Sequence, residues 1–332
     1  MVDKELHPKP VNISIILCTY NRSQSLAKAL DSVAASVLPS SITWEVLVID
    51  NNSNDQTRDV VEDFRRRYPG RFRYLLETQQ GKSFALNTGI RQVQSDVLAF
   101  VDDDAIVEPT WLQNLTAPLL GGEWAGSGGR ILPDGAFSPP RWFAPDERSM
   151  LAVLALFDLG PAAGQLTEPP FGTNMAYRKE IFEKYGGIRT DLGPCPGSEI
   201  RSEDTEFGRR LLKAGELLRY EPSAVVYHEV PQHRLTKKYF LAWFFDKGRA
   251  DVREFGASLD TKYCVSGVPL YLFRRFAVWT LRRMIALEPS QRFSCRLKTQ
   301  WLLGGIVESH RQSSELKRQG EKFEQRERPS SL

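Results

Sequence analysis

The chain has 332 residues, with 44 Lys+Arg against 41 Asp+Glu and a formal net charge of +3. Hydrophobic residues make up 41% and charged residues 26%, which excludes a disordered chain, a collagen-like fibre and a coiled coil and suffices for a large core. Four scattered cysteines, Cys18, Cys195, Cys264 and Cys295, exclude a disulfide framework and, without a CxxC pair, a cysteine zinc site.

Residues 1–10 (MVDKELHPKP) alternate in charge, have no apolar core and are read as a tail rather than a signal peptide. Two periods then alternate. Residues 11–18 (VNISIILC), 44–49 (WEVLVI), 72–76 (FRYLL) and 96–101 (DVLAFV) are short apolar runs suited to strands buried on both faces. Residues 23–35, 57–68 and 82–94 carry helical spacing between them. This alternation predicts a parallel sheet flanked by helices, with ligands beyond the carboxyl ends of the strands. Three strand ends carry Thr19-Tyr20-Asn21, Asp50-Asn51-Asn52 and Asp102-Asp103-Asp104. Residues 121–170 are rich in Gly and Pro and are read as irregular. Regular structure is expected again at 171–178, as helices at 179–185 and 203–214, and as a strand at 224–228.

Beyond it lie aromatic and basic helices. From Thr236 onward 19 Lys+Arg face 10 Asp+Glu, leaving 25 against 31 in the acidic remainder. Tyr239, Phe240, Trp243, Phe244 and Phe245 cluster beside Lys237, Lys238, Lys247 and Arg249. Residues 270–287 then interleave apolar side chains with Arg274, Arg275, Arg282 and Arg283. Two uses fit these helices: an anionic membrane surface, or packing on the rest of the chain or on a second subunit as a homodimer. The acidic front half argues against nucleic acid. No stretch approaches the ~20 apolar residues of a membrane span. The expected location is the cytoplasm, soluble or peripheral at the cytoplasmic face of a membrane.

Two carboxylate groups carry the chemistry. Asp102 and Asp104 form a D-x-D pair able to hold a hard divalent ion, Mn²⁺ or Mg²⁺, against phosphate oxygens; the bland alternative is an acidic turn. Glu203 and Asp204 supply carboxylates fit for general-base work; the alternative is the preference of acids for a helix first turn.

In this order, SIILCTYNR, VLVIDNNSND, GKSFALNTGI, SDVLAFVDDDAIVEPTWL and SEDTEFGRRLLKAG resemble family 2 glycosyltransferases of the GT-A fold, over roughly residues 11–230. The resemblance implies an α/β fold with a Rossmann-like, mostly parallel sheet and flanking helices, to which the chain adds an α-helical C-terminal extension. It implies a nucleotide-sugar donor, read as UDP-linked, a divalent metal on the diphosphate, inversion at the anomeric carbon, and a glycan or lipid-linked saccharide acceptor.

By that resemblance Thr19, Tyr20, Asn21 and Asp50 line the nucleoside pocket, and Arg22, Asn52, Lys82, Asn87, Asp102 and Asp103 complete the donor site. Asp102 sits against the ribose or the metal and Asp104 binds the metal at the diphosphate, with His228 as a further ligand or simply a hydrogen-bonded strand-end histidine. Asp204 is the base, and Gly172, Asn174 and Glu203 line the acceptor side. His233 and Arg234 are weaker candidates for the diphosphate. Trp142, Phe143 and Phe171 suit either sugar stacking or core packing. Two departures stand out: Cys18 replaces a usual proline, and Leu86 replaces a frequent arginine before Asn87, leaving Lys82 as the local cation.

The expected organisation is a tail at 1–10 and a GT-A domain at 11–233, divided into a donor half (11–120) and an acceptor half (121–233). A basic aromatic helical extension follows at 234–312, then a charged flexible tail at 313–332. The rivals are a GT-A module that binds without turnover and a sugar nucleotidyltransferase, which would want a Gly-rich loop where this chain has CTYNRSQS.

Overall fold

The structure, a computed structural model, describes residues 11–136, 138–144, 148–256 and 263–327. The expected tail at 1–10 lies outside the described residues, as do 328–332. The chain opens with β1 (Val11–Thr19), α1 (Ser23–Ala34), β2 (Ile42–Asp50), α2 (Thr57–Arg67), β3 (Phe72–Leu76), α3 (Lys82–Gln92) and β4 (Val97–Phe100). It continues through β5 (Ala105–Val107), α4 (Trp111–Leu120), β6 (Gly126–Pro133), α5 (Arg148–Val153), β7 (Gly164–Gln165), β8 (Met175–Arg178), α6 (Lys179–Tyr185), α7 (Glu203–Lys213) and β9 (Leu218–His228). After a 3-10 turn at Gln232–Arg234 come α8 (Lys237–Phe255), β10 (Cys264–Val265), β11 (Val268–Pro269), α9 (Leu270–Ile285) and α10 (Pro289–Glu327).

Two compact units form, each taken over its described residues: Met1–Phe137, Leu154–Gly197 and Glu203–Val230 make the first, and Ser138–Val153, Ser198–Ser202 and Pro231–Leu332 the second. The first holds a nine-stranded sheet in the order β3-β2-β1-β4-β8-β6-β9-β5, with β7 on β9. β3, β2, β1 and β4 run parallel, as the βα alternation predicts. β8 enters antiparallel to β4 and β6, while β6 and β9 are parallel.

Side-chain alternation explains the apolar runs. Ile13, Ile15 and Leu17 of β1 and Val46 and Val48 of β2 face the layer of α1, α2 and α4. Ile16, Leu47 and Ile49 face α3, α6 and α7. Both faces are dry over the carboxyl-terminal halves of the two strands; nearer their starts Asn12 pairs with Thr43 and Ser14 with Glu45 across the strands.

The expectation of irregular structure over 121–170 misses β6, an interior strand. Its sequence, GSGGRILP, lacks the β-branched signature. The glycines are there because the neighbours press in: a Cβ on Gly129 would lie 2.0 Å from the Ala224 carbonyl oxygen, and one on Gly126 2.3 Å from the Tyr177 ring.

In the second unit α8 and α10 touch backbone to backbone: a Cβ on Gly248 would fall 1.8 Å from the Trp301 carbonyl oxygen, and one on Gly304 1.9 Å from that of Phe245. Glu308, fully buried on α10, takes Arg249 at 3.2 Å and Arg253 at 2.8 Å from α8, with Arg311 beside it. Such a paired carboxylate specifies one register of the two helices. Helix α10 runs to Glu327, so residues 313–327 are helical where a flexible charged tail was expected.

Candidate active site

The ends of β1 and β2 are tied by their own polar side chains. Asn21 and Asn52 take left-handed φ values of 52° and 67°, a conformation asparagine tolerates better than most residues. The Asn21 N–H donates to Ser53 Oγ at 2.9 Å, and the Asn54 N–H donates to Asn21 Oδ1 at 2.8 Å. Asp50 is buried at the end of β2, where it accepts the Tyr74 hydroxyl at 2.8 Å and the Ser53 N–H at 2.8 Å. Burial and the Asp50 carboxylate push the Tyr74 phenol up to about 12. Tyr20 and Asn52 stand exposed beside this corner.

Two supporting residues had no role assigned from the sequence, although Asn51 belongs to the strand-end run Asp50-Asn51-Asn52. Tyr74 lies on β3, which becomes the neighbour of β2 only through the fold. Asn51 is buried; its amide donates to the carbonyls of Glu77 (3.2 Å) and Gln79 (2.9 Å) and accepts the Gly81 N–H (2.7 Å). It shapes the loop that delivers Lys82.

Beyond β4 the three aspartates separate. Asp102 binds Lys82 Nζ through Oδ1 and the Thr173 hydroxyl through Oδ2, both at 2.6 Å. Asp103 accepts Thr19 Oγ1 at 2.7 Å and Arg22 at 3.1 Å, and Arg22 also reaches Asp104 at 2.8 Å. The repulsion expected of the triplet is thus offset in part by two of the chain's own cations. Burial would raise the Asp102 carboxyl, but Lys82 outweighs it and holds Asp102 below the ordinary range. Burial wins at Asp103, which rises to about 6 despite Arg22. Lys82 is itself desolvated, yet Asp102 and Glu203 (3.8 Å) hold it firmly protonated.

Both Asp102 oxygens are thus engaged, one by Lys82 and one by Thr173. Asp104 faces His228, Oδ1 to Nε2, at 3.4 Å. His228 is buried at the end of β9, and its Nδ1 has no hydrogen-bond partner among the described residues. A carboxylate oxygen and an imidazole nitrogen this close form a donor pair that suits Mn²⁺, with diphosphate oxygens and water completing the shell. Among the described residues no group of three or more His, Cys, Asp or Glu is placed to hold a metal unaided.

Asp204 lies in the first turn of α7. Its Oδ2 accepts the Gly172 N–H at 2.6 Å and its Oδ1 the Thr205 N–H at 2.6 Å. A Cβ on Gly172 would sit 3.1 Å from Asp204 Oδ2. Consecutive residues therefore grip the two carboxylate groups: Gly172 holds Asp204, and Thr173 holds Asp102. Thr173 was passed over in the sequence, although it lies between two candidates in FGTN.

Other candidates serve the scaffold. Asn87 spends both amide atoms on the backbone of Ile188, donating to its carbonyl at 2.7 Å and accepting its N–H at 2.8 Å. Asn174 is fully buried; it accepts Trp111 Nε1–H and donates to the carbonyls of Arg130 and Ala224, each at 2.8 Å. Neither presents a group to a ligand, so their donor-side and acceptor-side assignments are corrected to support. Asn174→Leu strands three buried polar groups and is expected to lower the unfolding free energy by about 3 kcal/mol or more, read as a lower urea midpoint at unchanged slope. Phe171 packs on Phe157 with ring centroids 5.1 Å apart. In the second unit, Trp142 packs on Phe143, Phe240 and Phe293. His233 and Arg234 fall in its 3-10 turn.

The sequence model of glycosyl transferase family 2 matches residues 14–186. Succinoglycan biosynthesis protein ExoM of Rhizobium meliloti is 30% identical over 237 residues, 70% of each chain. Glycosyltransferase AglE of Haloferax volcanii is 27% identical over 232 residues, 69% of this chain and 70% of its own. Among solved structures, a mannosyltransferase from Pyrobaculum calidifontis in complex with GDP-Man and Mn²⁺ aligns with TM-score 0.56 at 19% identity, covering 94% of this chain and 79% of its own. Staphylococcus aureus TarS 1-349 in complex with UDP aligns with TM-score 0.51 at 16% identity, covering 93% and 92%. These likenesses give the fold as GT-A. The chain belongs to glycosyl transferase family 2.

Proposed function

We propose that the chain transfers a sugar from a uridine-diphosphate sugar to a hydroxyl of a glycan or lipid-linked saccharide, with inversion at the anomeric carbon. Asp204 takes the acceptor proton as the hydroxyl oxygen bonds to the anomeric carbon; the bond from that carbon to the diphosphate oxygen breaks on the opposite face. The nucleoside occupies the corner of Thr19, Tyr20, Asn21 and Asp50, whose carboxylate Tyr74 and the Ser53 N–H orient. Lys82 and Arg22 add positive charge beside the diphosphate, and Glu203 lines the acceptor side. Asp104 and His228 would hold a divalent cation, which neutralises charge developing on the leaving diphosphate.

One observation carries this reading: the Gly172–Thr173 pair fixes the carboxylates of Asp204 and Asp102 together. An inverting displacement needs a base on one side of the sugar and the departing diphosphate on the other. The relatives lend support to the acceptor class. One is named a glucosyl-dolichyl phosphate glucuronosyltransferase, and another, matching over 105 residues, a poly-beta-1,6-N-acetyl-D-glucosamine synthase.

The test is a thermal-shift series with UDP and GDP, each with Mn²⁺, followed by UDP release from a panel of UDP-sugars. At a nucleotide concentration of 100 Kd the stabilisation is about 2.7 kcal/mol, a readily measured rise in Tm. A shift with GDP alone would move the donor to a guanosine sugar. A shift with UDP but no release from any UDP-sugar, with or without saccharide acceptors, would leave a binding module.

A further inference from the structure

Helix α9 has two apolar faces, and among the described residues only one is packed. Leu272, Phe276 and Trp279 pack with Leu302, Trp301 and Ile306 of α10. On the opposite side Leu270, Phe273, Val278, Leu281, Met284 and Ile285 are exposed, the last two by 75% and 71%. An amphipathic helix of a soluble fold turns its polar side outward; here the outward side is apolar except for Arg274. Leu287 just beyond the helix is 87% exposed and extends the patch.

Charge identifies what covers it. Residues 263–287 contain four arginines, Arg274, Arg275, Arg282 and Arg283, and no acidic residue. Arg275 lies over the Trp301 ring and Arg282 over the Trp279 ring, at 5.4 and 4.8 Å, flanking the apolar side. A two-fold contact with a second copy through this face would bring these like charges together. The 16 residues of α9 reach about 24 Å, and with four arginines they do not span a bilayer; among the described residues no helix is long and apolar enough to cross one. We infer that α9 lies flat in the interface of an anionic lipid bilayer, its outward apolar residues among the acyl chains and its arginines at the headgroups. This surface is independent of the sugar-transfer reading.

The test is co-sedimentation of the full chain with vesicles of phosphatidylcholine alone and of phosphatidylcholine with phosphatidylglycerol. Binding should favour the anionic vesicles, and salt should weaken it without abolishing it, because the charge part is screened and the apolar part is not. Arg274→Gln with Arg282→Gln, both at exposed positions on or beside the outward face, should lower partitioning onto anionic vesicles about fivefold per arginine. Met284→Glu with Ile285→Glu should remove binding to both vesicles, with an unchanged melting curve. Should that pair misfold, the arginine variant decides alone. The inference fails if the wild type ignores anionic vesicles, or if the variants partition as it does. It also fails if the wild type dimerises without lipid and Met284→Glu abolishes the dimer, because a second copy then covers the face. Loss of nucleotide binding would count against the transfer reading and leave this result standing.

Discussion

Asp204→Asn is expected to reduce turnover by roughly 10²–10⁴-fold while leaving the Kd for UDP nearly unchanged. The amide keeps the size of the carboxylate, and its oxygen can still accept the Gly172 N–H. What it cannot do is take up the acceptor proton. Because the substitution leaves one of two backbone donors facing an NH₂ group, a small fall in Tm accompanies it. The readout that separates base from scaffold is therefore kcat at saturating donor and acceptor. Glu203→Gln is the natural comparison, since Glu203 is buried beside Lys82 at 3.8 Å. If Asp204→Asn kept near-normal turnover while Glu203→Gln lost it, the base would be Glu203. If both kept it, neither carboxylate would be the base. Gly172→Ala tests positioning: its Cβ would crowd Asp204 Oδ2 at 3.1 Å, and the expected loss in kcat is smaller than that of Asp204→Asn.

The parts legible in the sequence are those in which one physical rule acts alone. β4 and the carboxyl-terminal halves of β1 and β2 are buried on both faces, so apolar runs mark them, and the half-buried edge strand β3 (Phe72–Leu76) also falls where its run predicts. The polar residues at their ends had no packing reason to be there, which is why Asp50 and the aspartate triplet stood out. β6 was not legible, because the close approach of Ala224 and Tyr177 replaces side chains with glycine and erases the strand pattern. Asn87 and Asn174 were misread for a related reason. A buried amide serving backbone carbonyls and one facing a ligand are the same letter, and only the partners distinguish them. Thr173 and Tyr74 act through Asp102 and Asp50, residues far away in the chain. Nothing local to either announces that role. The D-x-D spacing was read correctly as a place of dense negative charge, but the cations that offset part of it, Lys82 and Arg22, come from other strand ends.

Chelation should abolish transfer without loosening the fold, and this pairing follows from those two cations. Had the triplet depended on a metal for neutralisation, EDTA would lower Tm as well as activity. Asp102 is balanced by Lys82 at 2.6 Å, and Arg22 at 3.1 and 2.8 Å offsets part of the charge of Asp103 and Asp104, so the expected change in Tm is small. The leaving diphosphate has no such dedicated partner. Losing several kcal/mol of transition-state charge stabilisation corresponds to at least ~10³-fold in rate. Mn²⁺ should restore activity better than Mg²⁺, because His228 offers an imidazole nitrogen and Mg²⁺ favours an all-oxygen shell. Asp104→Ala should remain folded, with Arg22 still held by Asp103, and be inactive at any Mn²⁺ concentration. His228→Gln should raise the Mn²⁺ needed for half-maximal activity and narrow the preference over Mg²⁺. Full turnover in EDTA would remove the metal from the reaction, and a fall in Tm on chelation would show that the cation holds the triplet together.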